Sequence, residues 1–458
     1  MTDTTFSRPT RRAVLGTLAA TAATPLILPN LLKGAPPSET IRVGFVGCGN
    51  QAIGLIKRLL ANPHARIVAV CDVNEGSFGY KDSDHFYGRE PAKKLVDATY
   101  AKAAKSGKAE PCTAYADFRE LFARDDVDAV FLIVPDHWHT PMTILAAEAG
   151  KHIYCEKPLT LTVAEGREME AAVKKAGVTL QCGSQERSNP ISQFICEAAK
   201  AGAIGKITKV LTTIGYNNKV SPPPGWKPEP VPPTFDYAMW LGPAPAAPYH
   251  HDRCLYRFRF HYDYSGGQIT NFGAHCNDMA QWGLGRDGTG PTTVECTAAK
   301  FPEPGSLFNT ALESTVRCVY DDGVELICTS GEPSVQTRFE GENGWLQTGY
   351  GGTTASDAKL LADMPKVEKS DPGAHYHHMT NFIDVLRGTA KLAAPVEVGN
   401  SSAVLCHISN LAIRQFGAGS HGKYTWDPAG QTFTAGPDVA GINAMLARPR
   451  RSPWDKTA

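Results

Sequence analysis

The chain has 458 residues, enough for roughly two to three domains that each bury a core. Hydrophobic residues make up 42% and charged residues 20%, which excludes a disordered chain. Lys plus Arg and Asp plus Glu number 46 each, so no net charge draws the chain to nucleic acid or to an acidic membrane.

The first element reads as an address. Thr10-Arg11-Arg12-Ala13-Val14-Leu15 opens a short apolar run to Leu28, with small residues around Ala20-Thr21-Ala22. A charged stretch, a short apolar stretch and small residues make a signal peptide, and the arginine pair resembles a twin-arginine signal. Pro25, Gly16 and three Thr interrupt the run, which falls short of the roughly 20 apolar residues of a membrane span. Residues 1–35 are therefore expected to be signal and linker, with export of the folded chain to the periplasm or another extracytoplasmic space and no membrane anchor after processing. The twelve cysteines are scattered, with no Cys-x-x-Cys pair and no metal-type spacing. Cys71, Cys155, Cys182, Cys318 and Cys328 stand in apolar runs, which predicts free core thiols rather than a disulfide framework, and no metal site.

From Ile41 the pattern turns to short β-branched runs separated by helical stretches. Ile41-Arg42-Val43-Gly44-Phe45-Val46 predicts a buried strand, and Gly47-Cys48-Gly49-Asn50-Gln51-Ala52 follows it before helical spacing resumes at Ile53, Ile56 and Leu59. A strand, a glycine turn and a helix place a pyrophosphate on a helix N-terminus, with Ala52 small enough for close helix–strand packing. The second strand, Ile67 to Asp72, ends in an acid 23 residues beyond Gly49, near the spacing of a ribose-binding carboxylate. A carboxylate there repels a 2′-phosphate, so NAD is expected rather than NADP. The polar segment from Glu75 to Pro111 reads as an insertion covering the cofactor edge. Val127 to Val134 is a nearly continuous apolar strand that leads into Pro135-Asp136-His137-Trp138-His139. After a helix comes Lys151-His152-Ile153-Tyr154-Cys155-Glu156-Lys157-Pro158. Both segments follow strands, so Asp72, His137 and Lys157 converge on the crevice at the carboxyl ends of one parallel sheet.

The glycine turn, the Pro-Asp-His-Trp-His turn and Glu156-Lys157-Pro158 resemble the Gfo/Idh/MocA family of sugar and polyol oxidoreductases. Gly266 to Asp278, containing Asn271 and His275, looks like that family's second active-site segment. The resemblance runs over about residues 39–430. It implies an α/β chain with an NAD(P)-binding Rossmann domain at 39–185, a C-terminal α+β domain with a large, mostly antiparallel open sheet at 186–435, and a tail at 436–458. Strand candidates at 207–215, 293–301, 311–320, 323–330 and 335–340 agree, with hairpin punctuation such as Asp321-Asp322-Gly323. It further implies that Lys157 binds the reacting hydroxyl and helps remove its proton, with His275 as a second relay group. Glu156 orients the loop, and Pro135, His137 and His139 join the glycine turn around the cofactor. Substrate contacts are expected from Lys157, Asn271, His275, Tyr256 and Trp226. The aromatic loop between Asn217 and His250 suits either a sugar-stacking platform or a core loop held by prolines.

One position departs from the family pattern. An aspartate usually stands four residues before the histidine, and here that place is Asn271, whose amide takes no proton. Three readings stay open. The first is a dehydrogenase that holds NAD tightly and regenerates it within each cycle. The second is a redox-neutral glycosidase resembling NAD-dependent N-acetylgalactosaminidases, with His137 or a tyrosine such as Tyr216 as acid. The third is a sugar sensor. The family also implies a homo-oligomer, dimer or tetramer, with a small sugar or glycoside as ligand.

Overall fold

In the computed structural model, residues 40–104 and 110–456 are described, and the twin-arginine segment lies outside them. Six short strands, β1 (Ile41–Val46), β2 (Ala65–Cys71), β3 (Thr113–Tyr115), β4 (Ala129–Leu132), β5 (His152–Glu156) and β6 (Leu180–Gly183), form one sheet in the order β3-β2-β1-β4-β5-β6. Every pair is parallel. Helices cover both faces of such a sheet, which is why its central strands carry apolar side chains almost without alternation. Phe45, Phe131 and Tyr154 stand in register on β1, β4 and β5, and their rings stack at 4.7 and 4.8 Å between centroids.

Two features differ from the expected plan. Arg89–Ala103 is the ordinary crossover helix between β2 and β3, so the inserted part of the polar segment is mainly the loop before it. The first domain also takes back residues from far along the chain. Helix Ala374–Leu386 places Met379, Phe382 and Ile383 in the core that holds Val43, Phe45 and Phe131. Trp454 of the tail packs edge-on against Trp138 at 4.7 Å. The tail arginines dock on the body as well: Arg448 donates to Asp263 O and Arg451 to Gly242 O.

The second sheet has nine strands: β7 (Ile207–Ile214), β8 (Thr293–Lys300), β9 (Glu313–Val319), β10 (Glu325–Ser330), β11 (Val335–Gly341), β12 (Gly344–Gly349), β13 (Thr354–Ala355), β14 (Lys423–Asp427) and β15 (Thr432–Ala435). Their order is β13-β12-β11-β7-β10-β9-β8-β14-β15. All pairs are antiparallel except β7 with β10. One face is covered by helices Pro190–Lys200, Gly273–Gly283 and Val396–Gly417, whose apolar residues share a core with Val210, Val316, Leu326 and Phe339. The five expected strands are present; β12 to β15 were not anticipated. All twelve cysteines are buried and free. Among the described residues, no helix is long and apolar enough to cross a membrane.

A buried ion pair ties the two sheets. Arg187, just past β6, donates to Asp278 on helix Gly273–Gly283 (2.8 Å) and to Asp287 in the following turn (2.7 Å). The Arg187 and Asp278 side chains are 6% and 1% exposed, so neither charge has water in place of the other.

Candidate active site

A cleft opens at the carboxyl ends of the parallel strands, and its first half is made by the turn after β1. Gly47 has φ +89°, and a Cβ there would lie 2.1 Å from Ile133 O, so only glycine lets the chain turn against β4. The turn is held by Asp72. Its Oδ2 accepts from Cys48 N–H (2.6 Å) and its Oδ1 from Asn74 N–H (2.8 Å), so one carboxylate clasps the turns after β1 and β2. Burial pushes the Asp72 carboxyl up to about 6, and the two backbone donors oppose that shift. Helix Asn50–Leu59 begins at Gly49 with no side-chain cap, which leaves its first N–H groups open to an anionic ligand. Asn50 Oδ1 accepts from Lys81 N–H (3.0 Å) and so draws in the loop that carries Tyr80. A Cβ on Gly49 would come within 2.8 Å of the Tyr80 ring. Gly47, Gly49, Asn50, Gln51, Ala52 and Asp72 all line this half. An uncapped helix, a glycine turn and an acid at the next strand end suit a pyrophosphate and its ribose, so these residues fit NAD.

The second half of the cleft holds the ionisable groups. Lys157, directly after β5, donates from Nζ to Asn271 O (2.9 Å) and Oδ1 (3.3 Å). Asn271 Nδ2 donates in turn to Gln268 Oε1 (2.9 Å), which fixes the amide with its oxygen toward the lysine. Burial lowers the Lys157 pKa; Glu156 and Asp136 oppose this and Arg259 adds to it. Glu156 Oε1 accepts from Gln185 (2.6 Å) and Gln51 (3.4 Å), and burial raises its carboxyl to about 7. Asp136 is 5% exposed and also raised by burial to about 7, against the pull of the Ser265 hydroxyl, Lys157 and Arg259. Its Oδ2 is buried with no hydrogen-bond partner. The Arg259 guanidinium lies over the Tyr256 ring at 4.0 Å and donates to Tyr256 O. Pro135, Phe235, Trp240, Tyr256 and Ser265 complete the wall.

The expected residues thus divide. Gly47, Gly49, Asn50, Gln51, Ala52, Asp72, Pro135, Glu156, Lys157, Tyr256 and Asn271 share the cleft. His137 and His139 do not line it; both rings are buried behind the turn. His137 Nε2 lies 3.0 Å from Trp240 O, and burial lowers its pKa to about 3. His139 packs between Pro158 O (2.7 Å) and Val134 O (3.0 Å) and is lowered to about 4. Trp226 is also away from the cleft. It packs against the cluster of Phe260, Leu307 and Phe308, under the Arg253 guanidinium at 5.4 Å. Tyr216, the suggested acid, is 52% exposed on the surface. His275 faces a second cavity with Glu186, Asn189 and Tyr350; burial first, then the nearby Lys157 charge, holds its pKa well below the histidine range. The aromatic loop is mostly core: Phe235, Tyr237, Trp240 and Tyr249 form one buried cluster, and Phe235 and Trp240 also face the cleft. His378 is structural, its Nε2 2.7 Å from Cys182 O and its Nδ1 2.7 Å from Ser188 Oγ.

Sequence reasoning missed Asp136, Arg259 and Tyr80. Asp136 stood inside the turn already singled out, between Pro135 and His137, whereas nothing in the spacing around Arg259 or Tyr80 marked them.

Strand order and cleft together define a dinucleotide-binding Rossmann protein with ionisable groups in the same cleft as its glycine turn. Residues 41–184 match the family model described as oxidoreductase family, NAD-binding Rossmann fold, and residues 195–456 match its C-terminal alpha/beta domain. The chain belongs to this Gfo/Idh/MocA oxidoreductase family, and its cofactor is NAD. It is similar to a glycosyl hydrolase family 109 protein of Saccharopolyspora erythraea, with 36% identity over 127 residues, 28% of this chain and 24% of that protein. The matches span about a quarter of the length of the first such relatives. In structure it is similar to the WlbA dehydrogenase of Chromobacterium violaceum, solved with NADH and UDP-GlcNAcA (TM-score 0.60, 20% identity, 84% of this chain and 97% of that one). It is also similar to the aldose-aldose oxidoreductase of Caulobacter crescentus, solved with glycerol (TM-score 0.58, 19% identity, 84% and 99%). At these identities the likeness is one of fold.

Proposed function

We propose that the chain oxidises and reduces a sugar, polyol or sugar derivative at Lys157, with hydride passing to and from an NAD that it holds tightly. The observation that carries this reading is the single cleft in which the glycine turn and Asp72 meet Lys157 and Asn271. Lys157 gives two of its three N–H bonds to Asn271, leaving one for a substrate oxygen. Structural neighbours solved with a sugar nucleotide or glycerol support a polyhydroxylated substrate. The enclosing contacts of Tyr80 and the loop held by Asn50 support slow release of the nucleotide. Export by the twin-arginine route belongs to the same reading, supported by Arg11-Arg12 and by twelve unpaired buried thiols, since a chain folded before export needs no disulfides. We place a second copy of the chain on the face of the nine-stranded sheet away from the helices, where Leu211, Ile327 and Trp345 are only half-buried.

The redox-neutral glycosidase reading is favoured by the family 109 relatives. Transient oxidation of one carbinol acidifies the neighbouring proton, so the same lysine and cleft serve elimination and return of hydride. The purified chain is denatured and the released nucleotide counted. Close to one NAD(H) per chain, retained through gel filtration, is expected. A panel of aldoses, polyols and aryl glycosides then separates the readings: keto-sugar marks the oxidoreductase, and free sugar without net NADH marks the glycosidase. A chain that carries no nucleotide and binds added NAD weakly contradicts both.

A further inference from the structure

Three acids line the cleft: Asp72, Asp136 and Glu156. Asp72 has both oxygens occupied by backbone donors, and Glu156 Oε1 is occupied by two glutamine amides. Asn271 holds Lys157 but cannot accept a proton, and His137 is locked behind the wall. Asp136 is different. It is 5% exposed and its Oδ2 has no partner, the Ser265 hydroxyl hydrogen-bonds the carboxyl, and the charges of Lys157 and Arg259, which line the same cleft, act on it. We propose that Asp136 takes the proton of the substrate hydroxyl, while Lys157 binds the same oxygen; this rests on the oxidoreductase reading above.

The step balances. The carbinol O–H bond breaks and its proton forms an O–H bond on Asp136 Oδ2. The electron pair left on oxygen becomes the second C–O bond as the C–H bond breaks, and that pair leaves as hydride, for which bound NAD is the acceptor. The substrate loses two electrons, the Asp136 carboxylate becomes a carboxylic acid, and Lys157 keeps its proton. In the return direction Asp136 gives the proton back.

The test uses the full NAD-loaded chain, wild type and Asp136→Asn. Infrared difference spectra across neutral pH follow the protonated-carboxyl band, independently of turnover. Because Glu156 is also raised to about 7, the Asp136 band is read as the double difference between wild type and Asp136→Asn, and a midpoint near pH 7 is expected. It moves upward in Lys157→Met, where the neighbouring cation is gone. With the sugar that the wild type oxidises, Asp136→Asn lowers kcat about 100- to 10,000-fold and removes the acidic limb of its pH profile, while KM and retained NAD move less than about threefold. Asn271→Asp in the Asp136→Asn chain restores part of kcat. Wild-type and Asp136→Asn spectra that coincide across neutral pH overturn the proposal whether or not a sugar is oxidised. So does a loss of kcat that leaves the acidic limb in place. If no sugar reacts while the band titrates and follows Lys157, the sugar reading fails and the proton site is supported.

Discussion

Asp72 serves as a clasp because an ionised carboxylate only accepts, and two N–H groups from different turns point at it. An asparagine has the same shape but must aim an NH2 at one of those donors. Asp72→Asn therefore leaves one N–H without a partner, at a cost of about 1–3 kcal/mol. The expected result is a lower Tm and loss of NAD on gel filtration, with an unchanged far-UV spectrum. A variant that keeps its Tm and its nucleotide would show that the clasp contributes nothing. The role of Asp72 at a strand end was legible in the sequence, since spacing after a glycine turn fixes where a strand must finish. Its grip on Cys48 N–H was not, because a side chain meeting a backbone 24 positions away leaves no periodic trace.

At the scale of elements, period and punctuation gave away the central strands of both sheets. β12 to β15 escaped because they form the two outer pairs of the sheet, with β13 and β15 at its edges, and their pairing partners more than their own residues make them strands. Met379, Phe382, Ile383 and Leu386 recur at helical spacing in helix Ala374–Leu386, yet nothing in that stripe points to the first sheet, since an apolar stripe does not name the face it covers. Arg187 joins the last parallel strand to helix Gly273–Gly283 through a pair that water barely reaches. Arg187→Ala strips a buried carboxylate of its cation and is expected to cost about 3–5 kcal/mol, read as a lower urea midpoint. Asp278→Asn in the same chain removes the orphaned charge and should recover much of that loss. No recovery would mean that Arg187 acts through packing on Trp282, over which its guanidinium lies at 5.4 Å.

For the whole molecule, buried titrating groups set how stability responds to pH. Six imidazoles, His137 and His261 at about 3 and His139, His375, His378 and His407 at about 4, lie far below their ordinary 6.5. A depressed histidine contributes stability above pH 6.5 and loses it as pH falls toward its folded value, by about 1.4 kcal/mol per pH unit at most. Asp72, Asp136 and Glu156 are raised to about 6, 7 and 7, so they lose stability as pH rises through those values and gain it on acidification. Between pH 6.5 and 4.5 these six histidines, joined by the lowered His152 and His275, oppose the raised Asp72, Asp136, Glu156, Glu165 and Asp278, and the urea midpoint is expected to fall as acid is added at fixed nucleotide saturation. A midpoint that holds steady or rises would show that the histidines are not kept neutral.

The return of Ala374–Leu386 and Trp454 to the first sheet bears on how the protein is made. All six parallel strands leave the ribosome by Gly183, yet the contact of Phe382 with Phe131 and Tyr154 waits for residues nearly 200 positions later, and Trp138 waits for Trp454. The nucleotide half is thus denied the head start that an N-terminal domain normally enjoys during synthesis. A nascent chain released early would expose that face of the first sheet to chaperones and proteases.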